Sequence, residues 1–182
     1  MPSGNIADRT KTRRVVLRVV FTLLLAGSIV FIFTNSSVEG ALSGNKSQAV
    51  TAWINGLFSR VGVGVAFSET MVRKLGHLAE FMLLGLMMML TLRVYTARLF
   101  AHIGWPLFFG LFIALLDEFY QHFVPGRSSE VTDVLIDFSG VLVGVAFGLF
   151  VLLIVRDINR SIKDKRAEKK LPYALGQQKR GK

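Results

Sequence analysis

Asp117-Glu118-Phe119-Tyr120-Gln121-His122-Phe123-Val124-Pro125-Gly126-Arg127-Ser128-Ser129 decides how this chain is read. It follows an apolar run that begins at Ile103 and has the length of a membrane-spanning helix. Acids, a glutamine and a histidine are costly on such a helix unless they face its interior. Pro125, Gly126 and Arg127 then supply a turn, and a second apolar helix opens with Asp133 and Asp137. Two spans therefore meet at a polar boundary.

The remaining spans follow from the requirement of about 20 mostly apolar residues. They are predicted at about 15–33, 75–92, 103–120 and 133–155. Arg18 interrupts the first and can snorkel back to the basic side. A secretory signal is the rival for that segment, but its apolar region should be shorter and lead to a small-residue cleavage site. Pro106 falls in the first turn of the third span, where proline is tolerated. Gly140, Gly144 and Gly148 recur every four residues in the fourth, as in a close helix–helix seam. The fold expected is all-α, a polytopic bundle of four transmembrane helices. A 1–14 segment and a 156–182 tail flank the 15–155 transmembrane domain. The tail is expected to extend the last helix and then lose order.

Composition agrees. The chain of 182 residues is 52% hydrophobic, with mean hydropathy +0.49, too apolar for an ordinary soluble domain. Its net charge of +10 is concentrated at the two ends. Beside apolar spans, such ends read as cytoplasmic anchors rather than a nucleic-acid surface. Both termini are thus expected in the cytoplasm, with Arg93, Arg98 and His102 in an inner loop. Residues 34–74 and the 121–130 turn are then outside. Cysteine is absent, which excludes disulfides, thiol nucleophiles and thiolate metal sites.

Within the 34–74 loop, residues 34–48 look polar and turn-like and include two Asn-x-Ser sequons, at Asn35 and Asn45. Val50, Trp53, Ile54, Leu57, Phe58 and Val61 then fall at helical spacing. They predict an extracytoplasmic amphipathic helix that lies on the membrane surface or packs on the bundle.

With these spans, the ionisable groups share one leaflet. Glu80 and Asp137 lie about 5–8 Å below their helix starts. Lys74, His77 and Glu80 repeat every three residues and are expected to share a face. Asp117 with Gln121, and Glu118 with His122, form adjoining stripes. Asp133 and Asp137 continue the glycine face into the bundle. Arg73, Lys74 and Arg127 add cations on the outer side, against the usual bias. They can pair with the acids or hold an anionic headgroup, phosphate or carboxylate. Ser128 and Ser129 look like turn residues or a helix cap.

Two separated motifs in this order resemble the VanZ-like family of membrane proteins. The first is Arg73-Lys74-x-x-His77-x-x-Glu80-Phe81. The second is Asp117-Glu118-x-x-Gln121-x-Phe123-x-Pro125-Gly126-Arg127, followed by Asp133-x-x-x-Asp137-x-x-Gly140-x-x-x-Gly144. The similarity runs from about Val72 to Leu149. It departs at Asp137, where many members carry Asn. The resemblance implies the bacterial cell membrane and a role in the cell envelope. The namesake is linked to low-level teicoplanin resistance in Gram-positive bacteria.

Two functions fit these residues. In the first, an outer pocket binds a membrane lipid, a lipid-linked cell-wall precursor or a glycopeptide, with Arg73, Lys74, Glu118, Gln121, Arg127 and Asp137 as binding residues. In the second, the chain is an intramembrane enzyme using His77, Glu80, Asp117 and Asp133 for acid–base phosphoryl or acyl chemistry. The enzyme reading also leaves room for a divalent metal between these oxygens and an imidazole, but the sequence names no metal, cofactor or oligomeric state. A proton or ion path is disfavoured, because the inner halves of the spans lack polar groups.

Overall fold

A computed structural model describes residues 3–38, 40–62, 66–127 and 129–180, with side chains described over 8–38, 47–62, 66–127 and 129–166. Every regular element among them is a helix: α1 (Ser3–Ser36), α2 (Gly40–Arg60), α3 (Glu69–Tyr95), α4 (Leu99–His102), α5 (Gly104–Gln121) and α6 (Val131–Arg180). Four stretches are long and apolar enough to cross a membrane: Asp8–Ser36, Glu69–Tyr95, Leu99–Gln121 and Val131–Arg166. The chain is therefore a membrane-embedded all-α protein.

The chain divides into two compact units, residues 1–148 and 149–182. The second is the remainder of α6. Helix continues there through Arg180, as an extension of the last span. Its Lys, Arg, Ala and Glu are strong helix formers. Residues 34–48 differ from the turn-like expectation, since α1 reaches Ser36 and α2 already begins at Gly40.

Local chemistry sets the helix ends. The Ser68 hydroxyl accepts the Met71 N–H at 3.2 Å and caps α3, with Glu69 in its first turn. The Arg127 N–H closes a turn on the Val124 carbonyl at 3.2 Å. Pro125 fixes φ there, and Gly126 takes the left-handed φ of 76° that follows it in a type II turn. Ser129 does not act as a cap; its hydroxyl donates to the Glu118 carbonyl at 3.3 Å. Ser128 lies outside the described residues.

The core of residues 1–148 is a seam between α3 and α6. Phe81, Leu84, Gly85, Met88 and Met89 of α3 are buried. Val134, Asp137, Gly140, Val141, Gly144 and Val145 of α6 are buried at alternating helical steps. Glycine is required there by contact: a Cβ on Gly140 would strike the Leu78 carbonyl, and one on Gly144 the Met82 carbonyl. Backbone cannot yield as a flexible side chain can, so these helices meet at the small-residue distance of membrane interfaces.

Antiparallel α1 and α3 are tied at both ends. At one, Arg18 Nε donates to the Val94 carbonyl at 3.2 Å, its guanidinium 5.3 Å from the Tyr95 ring centre. Thr91 donates to the Phe21 carbonyl at 3.2 Å, and the Thr22 and Tyr95 hydroxyls lie 3.0 Å apart. At the other, Asn35 Nδ2 donates to Glu80 Oε1 at 2.6 Å.

One face of α2 packs on α3 and the Phe67 segment. Among its described side chains, Thr51 is buried and Ser47, Ile54, Asn55 and Phe58 are half-buried. Asn55 exchanges two hydrogen bonds with the Phe67 backbone, at 2.8 and 3.1 Å, and the Phe58 and Phe67 rings lie 5.3 Å apart. Val50, Trp53, Leu57 and Val61 form a separate exposed apolar face, with Trp53 69% exposed.

Candidate functional site

The polar residues gather where α1 ends, α3 begins, α5 ends and α6 begins. The short 122–130 turn joins the last two of these termini and α2 lies in sequence between the first two, so residues from distant parts of the sequence meet.

At the centre stands His77. Its Nδ1 lies 3.9 Å from Asp117 Oδ2 and 3.8 Å from Asp137 Oδ1. Asp117 is fully buried and Asp137 is 1% exposed. The Asp117 carboxylate is oriented by the Gln121 amide, which donates to Oδ2 at 2.9 Å and also to the Ser36 hydroxyl at 3.3 Å. Neither Asp137 oxygen has a hydrogen-bond partner, nor does Asp117 Oδ1. Buried polar oxygens are usually satisfied, so three orphans in one cluster are unusual.

Around this centre the other expected residues take separate posts. Lys74 Nζ pairs with Asp133 Oδ1 at 2.6 Å and with Glu130 Oε2 at 3.8 Å. Glu118 turns inward, and its Oε1 accepts the Glu130 N–H at 2.6 Å, setting an acid at the entry to α6. Glu80 faces α1 through Asn35. Lys74, His77 and Glu80 therefore do not point to one spot. Each three-residue step falls about 60° short of a full turn, so they fan toward α6, the centre and α1. His122 is exposed against the Phe123 ring, so only Glu118 of that stripe faces inward.

Arg127 closes this end. Its Nε donates to the Val38 carbonyl at 3.2 Å, Nη2 to the Asn35 carbonyl at 3.0 Å and Nη1 to Gln121 Oε1 at 3.1 Å. Burial and the nearby Arg73 charge press its pKa below the ordinary arginine value. Among the described residues Arg73 makes no ion pair.

Two spaces adjoin the cluster. A chamber of about 10 Å³ is walled by Arg73, Lys74, His77, Glu118, Asp133 and Asp137. A groove of about 290 Å³ runs between α1, α2, α3 and the 124–127 turn, lined by Asn35, Arg73, His77, Glu80 and Arg127 among others. His77 and Arg73 border both.

Asn35 and Ser36 were not foreseen as members of this site. Their signal was the polar run Asn35-Ser36-Ser37 at the exit of the first span.

A family model described as VanZ/LLP1 matches residues 19–154, a range that holds all of these groups. No curated protein and no solved structure matches the chain.

Proposed function

The chain belongs to the VanZ/LLP1 family of membrane proteins, and from its polar end we propose that it works in the bacterial cell envelope by binding a membrane-associated anionic ligand. The ligand class is a phospholipid headgroup, a lipid-linked cell-wall precursor or a lipophilic glycopeptide of the teicoplanin type. The observation that carries this reading is the groove of about 290 Å³ in which Arg73 and Arg127 come together beside Asn35, His77 and Glu80. The two guanidiniums oppose each other's charge. A phosphate or carboxylate seated between them relieves that opposition and gains charge-assisted hydrogen bonds. Because Arg127 already holds the end of α1, Arg73 is the residue assigned to the ligand.

Depth supports the same reading. The exposed Val50, Trp53, Leu57 and Val61 face of α2 suits the headgroup boundary, where a tryptophan is favoured. Basic termini favour a cytoplasmic position for both chain ends, which puts the groove on the outer side, where cell-wall precursors and glycopeptides are found.

A second reading, an intramembrane acid–base enzyme, draws on His77, held within 4 Å of two buried carboxylates and bordering the groove. It assigns proton transfer to His77 with Asp117, and phosphoryl or acyl transfer as the reaction class.

One experiment separates them. Protein in nanodiscs is mixed with phosphatidylglycerol, lipid-linked precursor or teicoplanin, and complexes and products are read by mass spectrometry. Saturable binding that weakens at least about tenfold in Arg73→Ala, with no new product, supports binding. Turnover lost in Asp117→Asn or Glu80→Gln supports the enzyme. Equal retention of every ligand by wild type and Arg73→Ala, without turnover, sinks both. Labelling of cysteines introduced at Ser128 and Lys165 checks orientation; the two must react from opposite sides.

A further inference from the structure

We propose that His77, Asp117 and Asp137 form a binding site for one divalent transition-metal ion of the zinc class. The proposal goes beyond ligand binding in the groove and does not require it.

Donor chemistry is the first ground. One imidazole nitrogen and two carboxylate oxygens are a mixed N/O set, which suits zinc and its first-row neighbours better than magnesium or calcium. One ligand atom from each residue lies within 4.8 Å of the others. The two His77 separations are 3.8 and 3.9 Å. In a tetrahedral site with bonds of about 2.1 Å, ligand atoms sit about 3.4 Å apart. The Asp117 and Asp137 oxygens lie within 4.8 Å of each other, so ion binding would draw the two carboxylates together by side-chain rotation.

The orphaned oxygens are the second and independent ground. Asp137 is 1% exposed, yet both its oxygens lack a hydrogen-bond partner, and Oδ1 faces His77. The imidazole does not satisfy them, since 3.8 Å is beyond a hydrogen bond. An uncompensated carboxylate at this depth is expensive, and a cation is the partner that removes the cost.

Size and orientation agree. The adjoining chamber of about 10 Å³ has room for a single ion or water and for nothing organic. Gln121, donating to Asp117 Oδ2, holds that carboxylate as an outer-shell partner holds a metal ligand. Charge is favourable as well. Arg127 and Arg73 are the cations that act on His77, while Lys74 is already matched by Asp133 and Glu130. Four further acids, Glu80, Asp117, Glu118 and Asp137, stand around the two arginines and leave negative charge to balance the ion. Three protein ligands leave a coordination position for water, and His77 is the residue shared with the groove.

The test uses full-length protein in nanodiscs with no envelope ligand present. It is stripped with EDTA and titrated with zinc or cobalt(II). Elemental analysis reads stoichiometry, and visible absorption reads cobalt in an N/O site. The expected result is one equivalent per chain, with affinity lowered more than about tenfold in Asp137→Asn and in His77→Ala, and retained in Glu80→Gln. Substoichiometric metal in the loaded wild type overturns the proposal, as does wild-type affinity in either Asp137→Asn or His77→Ala. If both variants fail to fold, the wild-type stoichiometry decides alone. Because no groove ligand enters the assay, its failure leaves the binding reading standing, and loss of ligand binding in Arg73→Ala leaves this one standing.

Discussion

The two ends of the bundle solve opposite problems with the same helices. At the end built from Arg18, Thr22, Thr91 and Tyr95, a few polar groups tie α1 to α3. Beside them lies an apolar cavity of about 410 Å³ lined by residues such as Leu25, Met88, Trp105 and Phe109. At the other end the central chamber is about 10 Å³ and its walls are charged. In a membrane, a large apolar hollow is filled by acyl chains at little cost. A buried carboxylate has no such solvent and needs a dedicated partner. The polar end therefore carries the chemical demand, and size does not mark it, since a groove of about 290 Å³ opens there beside the small chamber.

Both ends depend on the α3–α6 seam, so the largest expected effect comes from opening it. Gly144→Leu would drive a side chain into the Met82 carbonyl. A loss of about 3 kcal/mol or more is expected, seen as a collapse of the thermal melt and aggregation on size exclusion in detergent. A normal melt would mean that the helices can separate at no cost, and that the polar cluster is not fixed by this contact.

Arg127 tests how far the polar end relies on one residue. Arg127→Ala removes donors from the Val38 carbonyl, the Asn35 carbonyl and Gln121. About 2 kcal/mol of destabilisation is expected. Arg127→Lys should recover little, because an ammonium cannot span three acceptors set around a planar fork. Full rescue by lysine would show that its charge, rather than its geometry, closes this end.

The sequence was informative about the fold because spanning helices are long and apolar and their glycine seam is periodic. It was less so about the site. Concentration of the polar residues at one end could be read from helix starts and finishes, and Asp117, Gln121 and Asp137 do face inward. Roles within that end could not be read, because they depend on helix rotation. Spacing of three put Lys74, His77 and Glu80 on one broad face, and the fan within that face sent Glu80 to Asn35 and Lys74 to Asp133. Asp137, expected among binding residues, sits beside His77 at the centre instead of Asp133 or Glu80. Asn35 and Ser36 lie at the exit of a span whose partner helix is 45 residues away in sequence, a contact no local pattern reveals.

At the apolar end the corresponding arginine should matter less. Arg18→Ala loses one hydrogen bond to the Val94 carbonyl and a ring contact with Tyr95. About 1 kcal/mol is expected by chemical unfolding in detergent. A loss equal to that of Arg127→Ala would erase the distinction between the ends.

The finest probe is Tyr95→Phe, which deletes a hydroxyl paired with Thr22 at 3.0 Å and leaves the ring under Arg18. About 0.5 kcal/mol is expected, since either hydroxyl can turn to another acceptor and no charge is stranded. Asp117→Leu makes the informative counterpart, because it removes a fully buried carboxylate and leaves the Gln121 amide without that acceptor. Measured side by side in metal-free protein, the two report what a polar group costs at each end. If removing the carboxylate stabilises the stripped protein while Tyr95→Phe weakens it slightly, the charged end is held at the expense of stability. That is the expected signature of a site kept for a ligand rather than for packing. If both substitutions weaken the protein alike, the acids serve as ordinary structural hydrogen-bond partners and the two ends differ only in composition.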